Sequence, residues 1–267
     1  MLATAAMRRA CTRTLCASPR VMRPTSQPTL SFDPSAKTAM DKQEPPAPGA
    51  DFRVVIVGAG NINFGSDEGP WNHSFRLEHK LGPRLKVVAL IDPDAERARR
   101  VLKTKCQSFV LSAYKDTVIY ADLEDYLKAI TPETQPHAIW VGSPPAFRGR
   151  LEKGRNLEVL VADNLPKTAM FIEKPVSTGP VEEAAEVAHD IRKRGNLVSV
   201  GYMLRYLKVV QKMKQIIDEN NLMVTAVNGR YVMAYEYLSK SWWWNKKQSL
   251  GPVIEQATHF CDLARYF

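Results

Sequence analysis

The sequence predicts an α/β protein with a doubly wound parallel sheet, and three observations predict it. From Phe52 onward, short apolar runs alternate with helix-length amphipathic segments, the pattern of parallel strands joined by helical crossovers. The first run, Arg53-Val54-Val55-Ile56-Val57, passes directly into Gly58-Ala59-Gly60. The second run closes on an acidic residue, Asp92.

Strands are expected over 53–58, 86–91, 117–120, 137–142, 168–172 and 197–201. Helices are expected between them, over 71–81, 94–104, 122–130, 147–160 and 180–194. After Gly201 the texture changes. Residues 206–220 read as a connecting helix, and 224–237 as a long run of strand formers, the first strand of another domain. Trp242, Trp243 and Trp244 then stand in a Ser/Lys/Asn-rich loop, and Gly251-Pro252 opens a last helix. The expected organisation is a disordered leader over 1–50, a dinucleotide-binding domain over 51–201 and a partial second domain over 202–267.

Composition narrows the function classes. With 267 residues, 45% hydrophobic and 24% charged, the chain can bury a sizeable core. No apolar run reaches the ~20 residues of a membrane span, so no membrane partner is expected. The net charge is +9. Arg8, Arg9, Arg13, Arg20 and Arg23 precede the first acid, Asp33, and removing them leaves about +4 mixed with acids throughout. That distribution lacks the basic face that phosphate backbones require, so no nucleic-acid partner is expected. The Arg-rich, acid-poor start resembles a mitochondrial transit peptide; the alternative is a dispensable tail on a cytoplasmic protein, ahead of a second start at Met40. Cys11, Cys16, Cys106 and Cys261 show no metal spacing and imply no disulfide framework.

The glycine turn carries the first chemical signal. Gly58 allows the tight turn, and Gly60 lets backbone approach a pyrophosphate, with N–H groups at Asn61 and Ile62 to meet its charge. A third glycine or alanine belongs three positions after Gly60, where this chain has Asn63. Turn formers over 63–70 then predict a longer phosphate loop than usual. Asp92 is expected to accept from the adenosine ribose hydroxyls, which favours NAD over NADP; it can equally cap the helix after Pro93. Gly142-Ser143-Pro144-Pro145 ends the fourth strand with small, rigid residues, a corner against which a nicotinamide ring could pack or a plain strand-to-helix turn.

The fifth strand ends in Glu173-Lys174-Pro175. At the carboxyl end of a strand in an open α/β sheet, a side chain points into the ligand crevice. Pro175 biases Lys174 to an extended conformation. In the last helix, Glu255, His259 and Asp262 share one stripe at spacings of four and three. Val253, Ala257, Phe260, Ala264 and Phe267 repeat on nearly the opposite stripe, which predicts an amphipathic helix with its apolar face inward. The polar trio is a weak metal site, since no second histidine or cysteine lies at ligand spacing, and no metal is expected.

The strand with Gly58 and Gly60, Glu173-Lys174-Pro175, Gly201-Tyr202-Met203-Leu204-Arg205-Tyr206 and 251–262 together resemble the Gfo/Idh/MocA oxidoreductases, relatives of glucose-fructose oxidoreductase and inositol dehydrogenase. The resemblance runs over 52–267. It implies that Lys174 contacts both nicotinamide ribose and substrate and that His259 handles the proton of the reacting hydroxyl. Glu255 and Asp262 would orient His259 or receive substrate hydroxyls. Ser143, Pro144 and Glu173 would line the cofactor. Glu255 stands where many members carry aspartate, Ala257 where many carry glycine, and Arg148 where many place a histidine. The resemblance further implies an antiparallel sheet over the nicotinamide, of which one strand is expected here, and a homo-oligomer contact through that part.

These readings give a nicotinamide-dependent oxidoreductase acting on a sugar, polyol or similar small hydroxylated substrate. The alternative is a family member that binds dinucleotide without turnover, as a truncated or regulatory protein. Any of the three tryptophans could stack on a sugar or serve in burial.

Overall fold

A computed structural model describes residues 49–67, 70–232 and 241–267. The expected leader lies outside the described residues up to position 48. Six strands form one all-parallel sheet in the order β3-β2-β1-β4-β5-β6. They are β1 (Phe52–Val57), β2 (Leu85–Ile91), β3 (Val118–Tyr120), β4 (Ala138–Val141), β5 (Ala169–Ile172) and β6 (Val198–Val200). Each expected strand in this region is present, within two residues at either end. Helices are α1 (Asn61–Phe64), α2 (His73–Leu81), α3 (Ala95–Cys106), α4 (Leu111–Tyr114), α5 (Leu123–Ala129), α6 (Leu157–Asn164) and α7 (Val181–Arg194). Beyond β6 come α8 (Lys208–Glu219), α9 (Lys246–Ser249) and α10 (Pro252–Tyr266).

The sheet is apolar on both faces, as a parallel sheet covered by crossovers must be. In β1, Val54 and Ile56 join a core with Leu77 of α2, Ala98 of α3 and Tyr114 of α4. Val55 and Val57 face the other way, against Tyr126 of α5, Val161 of α6 and Val187 of α7. The two cores bury Val54, Val55, Ile56 and Val57 of β1 almost completely, and each buried aliphatic side chain adds about 1.5–3 kcal/mol.

Register decides what stands at the rim. Val57 pairs with Ile91 and Val141, Val141 with Ile172, and Ile172 with Val200. The next residue of each strand therefore falls in one row: Gly58, Asp92, Gly142, Glu173 and Gly201. Backbone bonds hold that row, Gly58 N–H to Ile91, Gly142 N–H to Val57, Glu173 N–H to Val141 and Gly201 N–H to Ile172, at 2.8–2.9 Å. Strand order reverses between β1 and β4, the place where open α/β sheets bind ligands at the carboxyl ends of their strands.

Three expectations are corrected. The helix expected over 147–160 begins only at Leu157, because Arg148 turns inward with no exposed surface and Gly149 follows at φ +70. A side chain at Gly149 would meet Ser177 and the Val176 carbonyl at 2.6 Å. The strand expected over 224–237 is absent from its described part, 224–232, which is irregular and exposed; 233–237 lies outside the described residues. Strand formers need a neighbouring backbone to pair with, and none runs beside 224–232 among the described residues. Finally, α10 packs with its polar stripe inward: Glu255, His259 and Asp262 are its buried residues, while Val253 is 73% exposed and Ala264 is exposed.

Candidate active site

The glycine turn sits at the head of β1. Gly58 has φ +95, and a side chain there would press at 3.3 Å on the backbone of Gly142 and Ser143, so glycine is required by conformation and by space. Above Gly60 nothing lies within 4 Å of a hypothetical side chain. The backbone at Gly60 is thus open on that side. Asn63, in place of the third small residue, is fully buried and donates Nδ2 to the carbonyls of Val57 at 3.0 Å and Gly58 at 2.7 Å. Gly142 makes room for it, since a side chain on Gly142 would fall 2.5 Å from the Asn63 amide. Asn63 of α1 thus fills the space that a side chain at Gly142 would need. The long loop expected after it is partly seen, with residues 68–69 outside the described set.

At the head of β2 the Asp92 carboxylate is buried. Oδ2 accepts from Ala59 N–H at 2.6 Å, and Oδ1 accepts from Asp94 N–H at 2.8 Å and from Arg97 at 2.7 Å. Asp94, and not Asp92, caps α3 by accepting from Arg97 N–H. Asp92 instead ties the glycine turn to that helix.

Glu173 and Lys174 leave β5 in opposite directions. Glu173 accepts from Lys174 N–H at 3.0 Å and pairs with His73 Nε2 at 2.6 Å, both side chains nearly buried. Burial raises the Glu173 carboxyl, but the His73 hydrogen bond and the charges of His73, Lys174 and Arg148 outweigh it and hold the group below its usual range. The Lys174-Pro175 peptide bond is cis. Lys174 Nζ reaches α10 and donates to the Glu255 carbonyl at 2.9 Å and to Glu255 Oε2 at 3.0 Å. An ammonium has three N–H groups, so one is left for another acceptor.

His259 lies one turn along α10 from Glu255, its ring edge toward Tyr202 at 6.2 Å between centroids. Burial, reinforced by the Lys174 charge, pushes its imidazole below the ordinary histidine value. Burial raises Glu255, against the pull of Lys174. Arg205 grips both oxygens of Asp262, at 2.7 and 2.5 Å, which anchors α10 to the 201–206 turn.

Two residues at the site carried no role in the sequence reading. Arg148 donates Nε to the Ser143 carbonyl at 3.1 Å and Nη1 to the carbonyls of Pro175 at 2.5 Å and Val176 at 3.0 Å. It thereby fastens the corner after β4 to the corner after β5. His73 opens α2 and contacts Trp140 and Phe171 as well as Glu173. Neither signal was local, since each partner lies at least 27 residues away along the chain apart from Ser143.

The rim fits a polar ligand by an independent sign. Ser143 Oγ, Glu255 Oε1 and His259 Nδ1 are buried without hydrogen-bond partners among the described residues, a costly state unless something else supplies them. Gly60 and Ser143 follow β1 and β4 at the carboxyl ends of the strands, and Lys174 ties Glu255, with His259 one turn on, to the end of β5.

The family model for the oxidoreductase family with an NAD-binding Rossmann fold matches residues 52–202. The chain belongs to the Gfo/Idh/MocA oxidoreductase family. A second model, for an oxidoreductase C-terminal domain, matches 205–267. Among curated relatives, uncharacterized protein C12C2.04 of Schizosaccharomyces pombe is 45% identical over 221 residues, 82% of this chain and 58% of its own length. The chain spans a little over half the length of the curated relatives it matches, 58% and 56%. Of solved structures, the WlbA dehydrogenase of Chromobacterium violaceum in complex with NADH and UDP-GlcNAcA superposes with TM-score 0.58 at 20% identity, over 84% of this chain and 57% of that one. Myo-inositol 2-dehydrogenase of Lactobacillus plantarum gives 0.56 at 17%, over 81% and 56%. At such identities these two establish a shared fold. No helix among the described residues is long and apolar enough to cross a membrane.

Proposed function

We propose that this family member is an NAD-dependent dehydrogenase or reductase whose substrate is a sugar, polyol or similar small hydroxylated molecule. Residues 51–201 are assigned to the dinucleotide and 202–267 to the substrate side. The observation that carries the reading is the bridge from Lys174 to Glu255, which brings the ammonium at the end of β5 to the helical turn that bears His259.

Gly58, Gly60, Asn61 and Ile62 are the backbone positions assigned to the pyrophosphate, and Asp92 to the adenosine ribose. Ser143, Pro144 and Glu173 are assigned to the nicotinamide end, held by Arg148 and His73. The nicotinamide, when bound, supplies the hydride acceptor or donor. His259 takes the hydroxyl proton in the oxidative direction and returns it in the reductive one. Lys174 donates its remaining N–H to the substrate oxygen and stabilises the charge that develops there. Glu255 steers that ammonium.

The experiment is a titration of the purified chain with NADH by fluorescence, followed by absorbance assays with NAD over a panel of sugars and polyols. Binding with turnover supports the reading. Binding without turnover on any member of the panel favours the second reading, dinucleotide binding alone. One observation speaks for that alternative: residues 224–232, which follow α8, are irregular and exposed where a sheet strand was expected.

A further inference from the structure

The acidic residue at the end of β2 discriminates against NADP in two ways: its free oxygens accept the ribose hydroxyls, and its charge repels a 2′-phosphate. Neither condition holds fully at Asp92. Its side chain is 4% exposed, and three donors already point at it. Oδ1 has two of them, from Asp94 N–H and the Arg97 guanidinium, while Oδ2 has one, from Ala59 N–H. One lone pair on Oδ2 remains for a ribose hydroxyl. The charge is met by Arg97.

Arg97 is placed differently from the acid it pairs with. Its side chain is 45% exposed, with one Nη2 contact to Asp92 at 2.7 Å and a looser 4.0 Å approach of Nε to Asp94. A guanidinium has five N–H donors in a planar fork matched to phosphate oxygens. Arg100 follows one turn later on the same helix, 68% exposed and only loosely paired with Glu96 at 3.9 Å. Arg97 and Arg100 therefore stand at this mouth beside the exposed carboxylates of Asp94 and Glu96, and Arg97 keeps donors that its one close contact leaves free.

We propose that Arg97 is a specificity-determining residue that lets this site take NADP as well as NAD, by turning its free donors to the 2′-phosphate while Asp92 stays held by Ala59 and Asp94. The proposal rests on the dinucleotide reading above. In NAD the same arginine remains on Asp92 and Oδ2 serves the ribose.

The test measures dissociation constants of NADH and NADPH by fluorescence for the full chain, Arg97→Gln and Arg97→Lys, with competition by 2′,5′-ADP and 5′-AMP to isolate the phosphate. The full chain should bind the two dinucleotides within about tenfold of each other. Arg97→Gln should weaken NADPH and 2′,5′-ADP about tenfold or more while shifting NADH and 5′-AMP less than about threefold, the size expected for loss of a charged hydrogen bond. Arg97→Lys should lie between, because an ammonium keeps the charge but not the fork. NADH binding with NADPH more than a hundredfold weaker, or an Arg97→Gln chain that binds NADPH unchanged, would overturn the proposal. Failure of both dinucleotides to bind would instead overturn the dinucleotide reading and this proposal with it.

Discussion

His259 is buried beside a lysine, and both conditions disfavour its charged form. Its folded value lies below that of the unfolded chain, near 6.5. The sign follows: its contribution to stability is present above that unfolded value and is lost as pH falls through the depressed folded one. A base must be neutral to accept a proton. The acid limb of kcat/KM for oxidation is therefore expected below about pH 6.5, and the C2 proton of His259 should titrate in the same range by NMR. Lys174→Met should move that titration upward by removing the cation. At the glycine turn, Asn63→Ala takes the side-chain donor from the Gly58 carbonyl and one of two donors from the Val57 carbonyl, and Gly142→Ala drives a methyl into the Asn63 amide. Each should cost about 1–3 kcal/mol in urea denaturation. The double variant should cost less than their sum, because alanine at 63 removes the group the methyl strikes. Asp92 and Lys174 were legible as site residues because each closes an apolar run. His73 and Arg148 were not, because their partners are distant in sequence.

Among the elements, α10 shows what a periodic pattern leaves open. Two stripes, one polar and one apolar, both recur at helical spacing, and periodicity cannot say which turns inward. Partners decide. Lys174 and Arg205 wait beneath the polar stripe, while the apolar one meets the 224–232 segment chiefly where Gly229 and Tyr231 come against Phe260. The same logic explains the missing strand, whose residue types are right but whose ladder has no second rail among the described residues. It explains the late start of α6 as well, where Arg148 buries itself against carbonyls of the next corner. For α10 the consequence is measurable. Arg205→Ala leaves Asp262 buried at 8% exposure without its cation, and should cost about 1–2 kcal/mol, discounted because Arg205 itself is 38% exposed. Asp262→Asn, which keeps hydrogen-bonding capacity, should cost less in the same denaturation experiment.

Over the whole molecule, a single register row organises the chemistry. Six parallel strands end together, so that five residues separated by up to 143 positions, from Gly58 to Gly201, stand side by side along one rim. α10 returns across the end of β5 and adds Glu255 and His259. The alternation of apolar runs and helices made the sheet legible from sequence, since the inner strands are buried on both faces and read as apolar runs, while the edge strands β3 and β6 each keep an exposed residue. How the chain after Gly201 packs was not legible, since that depends on which faces find cover. The central claim is that Lys174 serves the reacting oxygen and is not needed to hold the dinucleotide. The most direct measurement compares the intact chain with Lys174→Ala, reading both NADH affinity by fluorescence and turnover on whichever sugar or polyol the intact chain accepts. The account predicts turnover reduced at least about a thousandfold, with NADH affinity within about tenfold. Turnover that survives the substitution would contradict it.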